Sequence, residues 1–175
     1  NNKNDIDEEI RIINNWLHMI DHYRKQYRAE NMPIYHWTPA EKSFIGGFIN
    51  KLSKVETRSR SEIIHNLHLS MDNFRDLAQA YLKCPIVIRG VFSYSIKHIV
   101  KALYLLGHIP ETWEDETIDG LGAGLLMVKA LNECAQNGTS LCDTEIAQIV
   151  IKYNEIDCRS VYNLLKYIRG LYGLE

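Results

Sequence analysis

The stretch PIYHW, Pro33 to Trp37, restricts the possible folds of this chain more than any other. It is short, aromatic and β-branched, which reads as a buried strand. A strand leaves backbone donors and acceptors open along both edges, so a lone strand needs sheet neighbours. Almost everything else in the sequence has helical spacing. Two outcomes stay open: an all-α chain in which PIYHW is no strand, or a sheet whose other strands lie outside this sequence.

The helical segments are marked by periodicity and by their ends. Ile10, Ile13, Trp16 or Leu17, Ile20, and Tyr23 or Tyr27 predict a helix over Asp7 to Glu30. Its early acids and late bases suit the helix dipole. TPAEKSFIGGFINKLSK predicts a second helix, with Thr38 as N-cap, Pro39 at the first helical position and Glu41 closing a capping box. Gly46 and Gly47 either weaken that helix or admit a close neighbour. KVETRSRSE reads as a loop. MDNFRDLAQAYLK reads as helix from Phe74, Leu77 and Tyr81, and CPIVIRG is open to a short strand. SYSIKHIVKALYLLG is an amphipathic helix, with Ser93 as candidate cap and Gly107 as its stop. PETWEDETIDGLGAG is expected to be a loop. GLLMVKALNECAQNG is a helix closed by Asn137-Gly138, and Thr144 opens a last helix running to about Leu171.

Composition excludes some classes. With 175 residues, 46% hydrophobic and 24% charged, the chain suits one globular domain, 1–175. A net charge of −2 gives no global electrostatic footprint for nucleic acid, but leaves room for a local basic groove. Arg58 and Arg60, with Lys51 and Lys54 nearby, form such a cluster: a solvated loop, or contacts to a phosphate backbone. No apolar run is long enough to span a bilayer. Cys84, Cys134, Cys142 and Cys158 lack metal-site spacing and read as reduced thiols of an intracellular chain. The start is polar, without Met, and is expected to belong to a longer product.

The chemistry centres on KYNEIDCRSVYNLLKYIRG. Tyr153 and Asp157 lie four residues apart and share one helical face. A Tyr–Asp hydrogen bond at the edge of a core accounts for the pair. So does a metal-dependent nuclease site. Two-metal phosphodiester hydrolysis needs clustered carboxylates, and a phenol beside one of them can orient the attacking water. Oxygen ligands favour Mg²⁺ or Mn²⁺.

YNEIDC resembles the third motif, Tyr-x-x-x-Asp, of the DEDDy-type 3′–5′ exonucleases of the ribonuclease H-like superfamily. It is most similar to their predicted RecB-family nuclease subgroup. IYHWTPAEKSFI is similar to the second motif, a strand followed by a carboxylate that opens a helix. FRDLAQAYLKCPIVIRGVFSYSIKHIVKALYLLG resembles the intermediate stretch, through Asp76, Leu77, Ser95, Ile96 and Lys97. Gly120 to Gly124 is similar to a glycine-marked helix start. The resemblance implies an α/β, ribonuclease H-like fold acting on DNA or RNA. It implies Glu41 and Asp157 as ligands of a two-metal Mg²⁺ or Mn²⁺ site, Tyr153 as the residue positioning water, and His36, Lys97, Arg58 and Arg60 as substrate contacts. The family's first motif, Asp-x-Glu on a first strand, is not visible; Asp5-Ile6-Asp7 has the spacing without an apolar strand around it. The expectation is therefore a helix-rich C-terminal portion, whose first strands come from an upstream segment or a second chain. The alternative is a catalytically inactive nuclease-like domain used for nucleic-acid binding or protein contact.

Overall fold

A computed structural model describes residues 2–55, 60–84, 86–113 and 120–174. The chain divides into two compact units, Asn1–Ala80 and Tyr81–Glu175. The described residues are mostly helical, with one small parallel sheet, an α/β arrangement in the broad sense. Among them no helix is long and apolar enough to cross a membrane.

Unit 1 runs α1 (Asn2–Gln26), β1 (Ile34–His36), α2 (Ala40–Leu52), α3 (Arg60–Met71), β2 (Phe74–Asp76) and the start of α4 (Leu77–Lys83). Ile6 and Ile13, with Ile10 and Leu17, line one side of α1 at spacings of three and four, and they meet Ile45, Phe48, Leu52, Ile63, Leu67 and Phe74 in one core. Each buried side chain of this size contributes about 1.5–3 kcal/mol. The outer face of α1 carries i,i+3 and i,i+4 ion pairs, Glu8–Arg11 and Asp21 with Arg24 and Lys25. The helix stops earlier than expected because Arg28 turns left-handed (φ 50°) and the Ala29 amide closes back on the Arg24 carbonyl. Asp5-Ile6-Asp7 lies inside α1, so it forms no strand.

β1 forms as expected, and its parallel partner lies inside the chain. β2 occupies Phe74–Asp76, where a helix was expected. Three residues are too few for a period of two to stand out against the helical spacing of Phe74, Leu77 and Tyr81. The boundary is set by Asp76, whose Oδ1 accepts the Ala78 and Gln79 amides and caps α4. α3 also starts inside the expected loop KVETRSRSE. Its buried face is Ile63, Leu67 and Ser70, and Arg60 is its first residue. A Cβ at Gly46 or Gly47 would meet nothing within 4 Å, so no close neighbour among the described residues requires either glycine.

Unit 2 contains the end of α4, α5 (Ile96–Leu105), α6 (Gly120–Asn137), a 3-10 turn (Leu141–Asp143) and α7 (Glu145–Leu171). The strand open at CPIVIRG does not form: residues 86–88 are irregular, and Arg89-Gly90 is a turn. Ser95 holds the cap position of α5 rather than Ser93, whose Oγ instead accepts the Ser95 amide. Gly107 and Gly138 end α5 and α6 at φ values of 74° and 67°, which only glycine adopts without cost. α6 begins at Gly120, so Gly120–Gly124 is helical and not loop. Thr144 caps α7 through its Oγ1, which accepts the Ala147 amide at 3.1 Å. α7 packs against α5 and α6. Its inner stripe is Ala147, Val150, Tyr153, Asp157, Ser160 and Leu164, so the phenol and the carboxylate lie on the face that packs.

Candidate functional site

The first set of sequence-nominated residues gathers at the carboxyl edge of the strand pair in unit 1. The register pairs Ile34 with Phe74, Tyr35 with Arg75 and His36 with Asp76, so both strands end level. Ligands of parallel sheets bind at that edge. The His36 ring is 4% exposed and packs on Phe74, with centroids 5.3 Å apart. Its Nδ1–H donates to the Thr38 carbonyl, which makes Nε2 the acceptor nitrogen. Nε2 is buried and has no hydrogen-bond partner among the described residues.

The capping box proposed for Thr38 and Glu41 is not formed. Thr38 sits at φ 78°, outside the helix, and its amide donates to Asp76 Oδ1 at 3.4 Å. Pro39 takes the cap position and has no side chain to offer the helix amides. Glu41 therefore lies in the first turn of α2 without a capping bond to hold it. Its Oε2 is 3.6 Å from His36 Nδ1, too long for a hydrogen bond to a proton already given to Thr38, and its side chain is 52% exposed.

Of the expected basic contacts, Arg58 lies outside the described residues. Arg60 Nη1 donates to the Ser53 and Val55 carbonyls at 3.3 and 3.2 Å, holding the end of α2. Lys51 pairs with Glu9 at 2.6 Å. A groove of about 460 Å³ lies between α1 and α3. Ile34 and Asn73 line it, so it opens at the amino end of the strands, away from His36 and Asp76.

In unit 2, three nominated residues converge. Tyr153 and Asp157 stand one turn apart on α7. Lys97, in the first turn of α5, places Nζ 5.1 Å from the centroid of the Tyr153 ring. Trp113 completes the group: its Nε1–H donates to Asp157 Oδ1 at 3.1 Å, and its ring lies 5.8 Å from Lys97 Nζ. An ammonium over two aromatic faces is held by their quadrupoles, more strongly as water is excluded, and Trp113 is buried. Beside the group, Glu111 accepts from Arg159 and from Asn163 Nδ2, each at 3.3 Å, and ties the loop before Trp113 to α7.

Sequence reasoning missed Trp113 and Glu111. The signal was present in PETWEDE, where a lone tryptophan sits in a polar segment. An indole there must bury its ring and find an acceptor for its N–H, and an inward carboxylate on a nearby helix is a suitable one.

Chemically, the unit 2 group offers an oriented carboxylate, a neighbouring phenol and a cation. Among the described residues, no three side chains of His, Cys, Asp and Glu converge to hold a metal ion. All four cysteines are free thiols. Comparison of the chain with protein-family models, with curated proteins and with solved structures finds no match in any of the three.

Proposed function

We propose that this chain is a metal-dependent nuclease domain of the ribonuclease H-like type, removing nucleotides from the 3′ end of DNA or RNA. The observation that carries the reading is the meeting of Lys97, Tyr153 and Asp157. Motif resemblance nominated each of them for one site, and they share one cluster in unit 2. The level strand ends in unit 1, with Glu41 close after them, fit the same fold type.

The donor chemistry suits a hard divalent cation. Asp157 in unit 2 would be a ligand of Mg²⁺ or Mn²⁺, and Glu41 in unit 1 is the other carboxylate that the motif resemblance nominates. The metal would supply Lewis-acid activation of water and charge neutralisation at phosphate. Trp113 holds one oxygen of Asp157 by a single N–H, as outer partners of metal-binding carboxylates do. The Tyr153 hydroxyl would orient the water, and Lys97 would offset phosphate charge.

A second reading has its own observation. The cluster is coherent without an ion, since Asp157 accepts the indole proton and Lys97 rests on two rings. That suits a catalytically inactive domain kept for binding. Mn²⁺-dependent cleavage of end-labelled single-stranded DNA and RNA separates the two. Wild type is expected to shorten the substrate from its 3′ end, and Asp157→Ala to lose at least about a hundredfold in rate, on the scale of deleted electrostatic groups in enzymes. Tyr153→Phe should retain metal dependence at a lower rate. Equal rates for wild type and Asp157→Ala would remove Asp157 from the mechanism and leave the second reading.

A further inference from the structure

Acids outnumber bases over the whole chain, 22 to 20, yet from Tyr81, where unit 2 begins, to Pro110 there is no Asp or Glu at all. The same stretch carries Lys83, Arg89, Lys97 and Lys101. It is the longest departure from the chain's mild acidity, and its cations are spaced too widely to stand out as a basic cluster. No carboxylate is interleaved with these cations along the sequence before Glu111, so the stretch is locally basic within a mildly acidic chain.

The structure adds the shape of that segment. Between α4 and α5 the backbone of residues 86–95 has no helix or strand. Phe92 is 100% exposed and Val87 87%, and Tyr94 is 40% exposed two residues beyond Phe92. A fully exposed phenylalanine has forfeited its burial energy, about 2 kcal/mol, with nothing gained in the folded chain. In α5 the apolar side chains Ile99, Val100 and Leu103 are all fully buried. Tyr104 and Leu105 are 44% and 73% exposed in its last turn, but its earlier outward positions are His98 and Lys101, so the helix lacks the continuous apolar outer face of one lying on a membrane. The exposed apolar groups are instead aromatic, on a loop, and set among cations. Lys97 follows Phe92 closely and sits against Tyr153, so the loop leads directly to the α7 cluster.

We infer that the loop 86–95 and the start of α5 form a contact surface for single-stranded nucleic acid, with bases stacked on Phe92 and Tyr94 and phosphates held by Arg89 and Lys101. Aromatic faces and cations along one segment are the combination that binds unpaired strands, because every base has a face to stack and duplex bases keep theirs covered. The binding stands independently of catalysis. Only the statement that the strand leads toward Asp157 rests on the nuclease reading.

The test is fluorescence anisotropy with a labelled oligothymidylate and the matching oligouridylate, in EDTA, so that no turnover is involved. Wild type should bind both, and bind the annealed duplex less tightly. Phe92→Ala should weaken binding about tenfold, and Tyr94→Ala by less. Arg89→Ala with Lys101→Ala should lower the slope of log affinity against log salt by about 0.7 for each phosphate that is no longer neutralised. Tyr172→Ala, which removes an exposed aromatic at the far end of α7, should change nothing. Phe92 supports no packing, so its variant is expected to melt as wild type does. Several outcomes would overturn the inference: no binding at low salt, equal affinity of Phe92→Ala and wild type, preference for duplex, or binding to anionic lipid vesicles without binding to oligonucleotides. Failure of the nuclease reading would show separately, as hydrolysis indifferent to Asp157→Ala.

Discussion

Asp76 in unit 1 and Asp157 in unit 2 are both half-buried carboxylates at or within a helix, and they are satisfied in opposite ways. Asp76 accepts from the amides of Ala78 and Gln79, its own near neighbours, and from Thr38. A helix start needs such an acceptor, so α4 alone accounts for most of its role. Asp157 stands in mid-helix, where no backbone amide is open to it. Its acceptor role is met by the Trp113 indole, 44 residues earlier in the chain. A carboxylate placed on an inner stripe without a capping task calls for a further explanation, since burial of its charge costs free energy. The pair distinguishes a carboxylate that builds the fold from one that the fold exhibits.

The largest expected effect is at Trp113. Trp113→Ala removes a buried indole together with the Asp157 partner, and should destabilise unit 2 by about 3–5 kcal/mol in denaturant titrations. Trp113→Phe keeps most of the ring and loses the N–H, so about 1–3 kcal/mol is expected. If Trp113→Phe costs nothing, the indole bond is no constraint on Asp157 and the contrast with Asp76 dissolves.

Asp76→Ala should cost less, about 0.5–2 kcal/mol, the range for a lost N-cap, while Asp76→Asn, itself a good cap, should be near neutral. Both are read by thermal melting. A loss in Asp76→Asn as large as that in Asp76→Ala would show that the charge matters and not the cap.

A smaller effect separates the units by pH. Burial, and secondarily Tyr167, pushes the Tyr81 phenol well above its ordinary value. The folded chain thus keeps the proton after an unfolded chain would release it. Its contribution is complete below about pH 10 and falls as pH rises beyond that, toward the folded value. Asp21 on the surface of α1 has the opposite sign. Hydrogen bonds from Lys25 and then Arg24 hold its carboxyl below the usual range, so its contribution declines as pH falls through that lowered value. Alkaline titration followed by near-UV circular dichroism should show a steeper loss of structure for wild type than for Tyr81→Phe. Parallel curves would remove Tyr81 from the account.

What the sequence disclosed follows how local each signal was. Thr144, Gly107 and Gly138 act through their own backbone neighbours, and they mark the helix ends where expected. PIYHW, with its proline boundary and aromatic content, formed its strand. β2 was hidden because Phe-Arg-Asp becomes a strand only through pairing with β1, which no local propensity reports. The capping box at Thr38 failed for a tertiary reason: the Thr38 amide is drawn to Asp76, and the left-handed turn puts the threonine outside α2. In the candidate site, the helical spacing of Tyr153 and Asp157 was legible. Their neighbours Lys97 and Trp113 arrive from other elements: Lys97 had been nominated by motif, whereas PETWEDE signals a tryptophan to be buried but not that its N–H finds Asp157.

The central proposal is that Asp157, held by the Trp113 indole, ligates a divalent metal ion. The three tryptophans give three indole N–H resonances, and the signal absent from Trp113→Phe identifies Trp113. Titration with Mn²⁺ should broaden that resonance first, because its proton is bonded to the Asp157 carboxylate, and Asp157→Asn should abolish the selectivity. A Trp113 signal that persists as long as those of Trp16 and Trp37, or that broadens identically in Asp157→Asn, would contradict the claim.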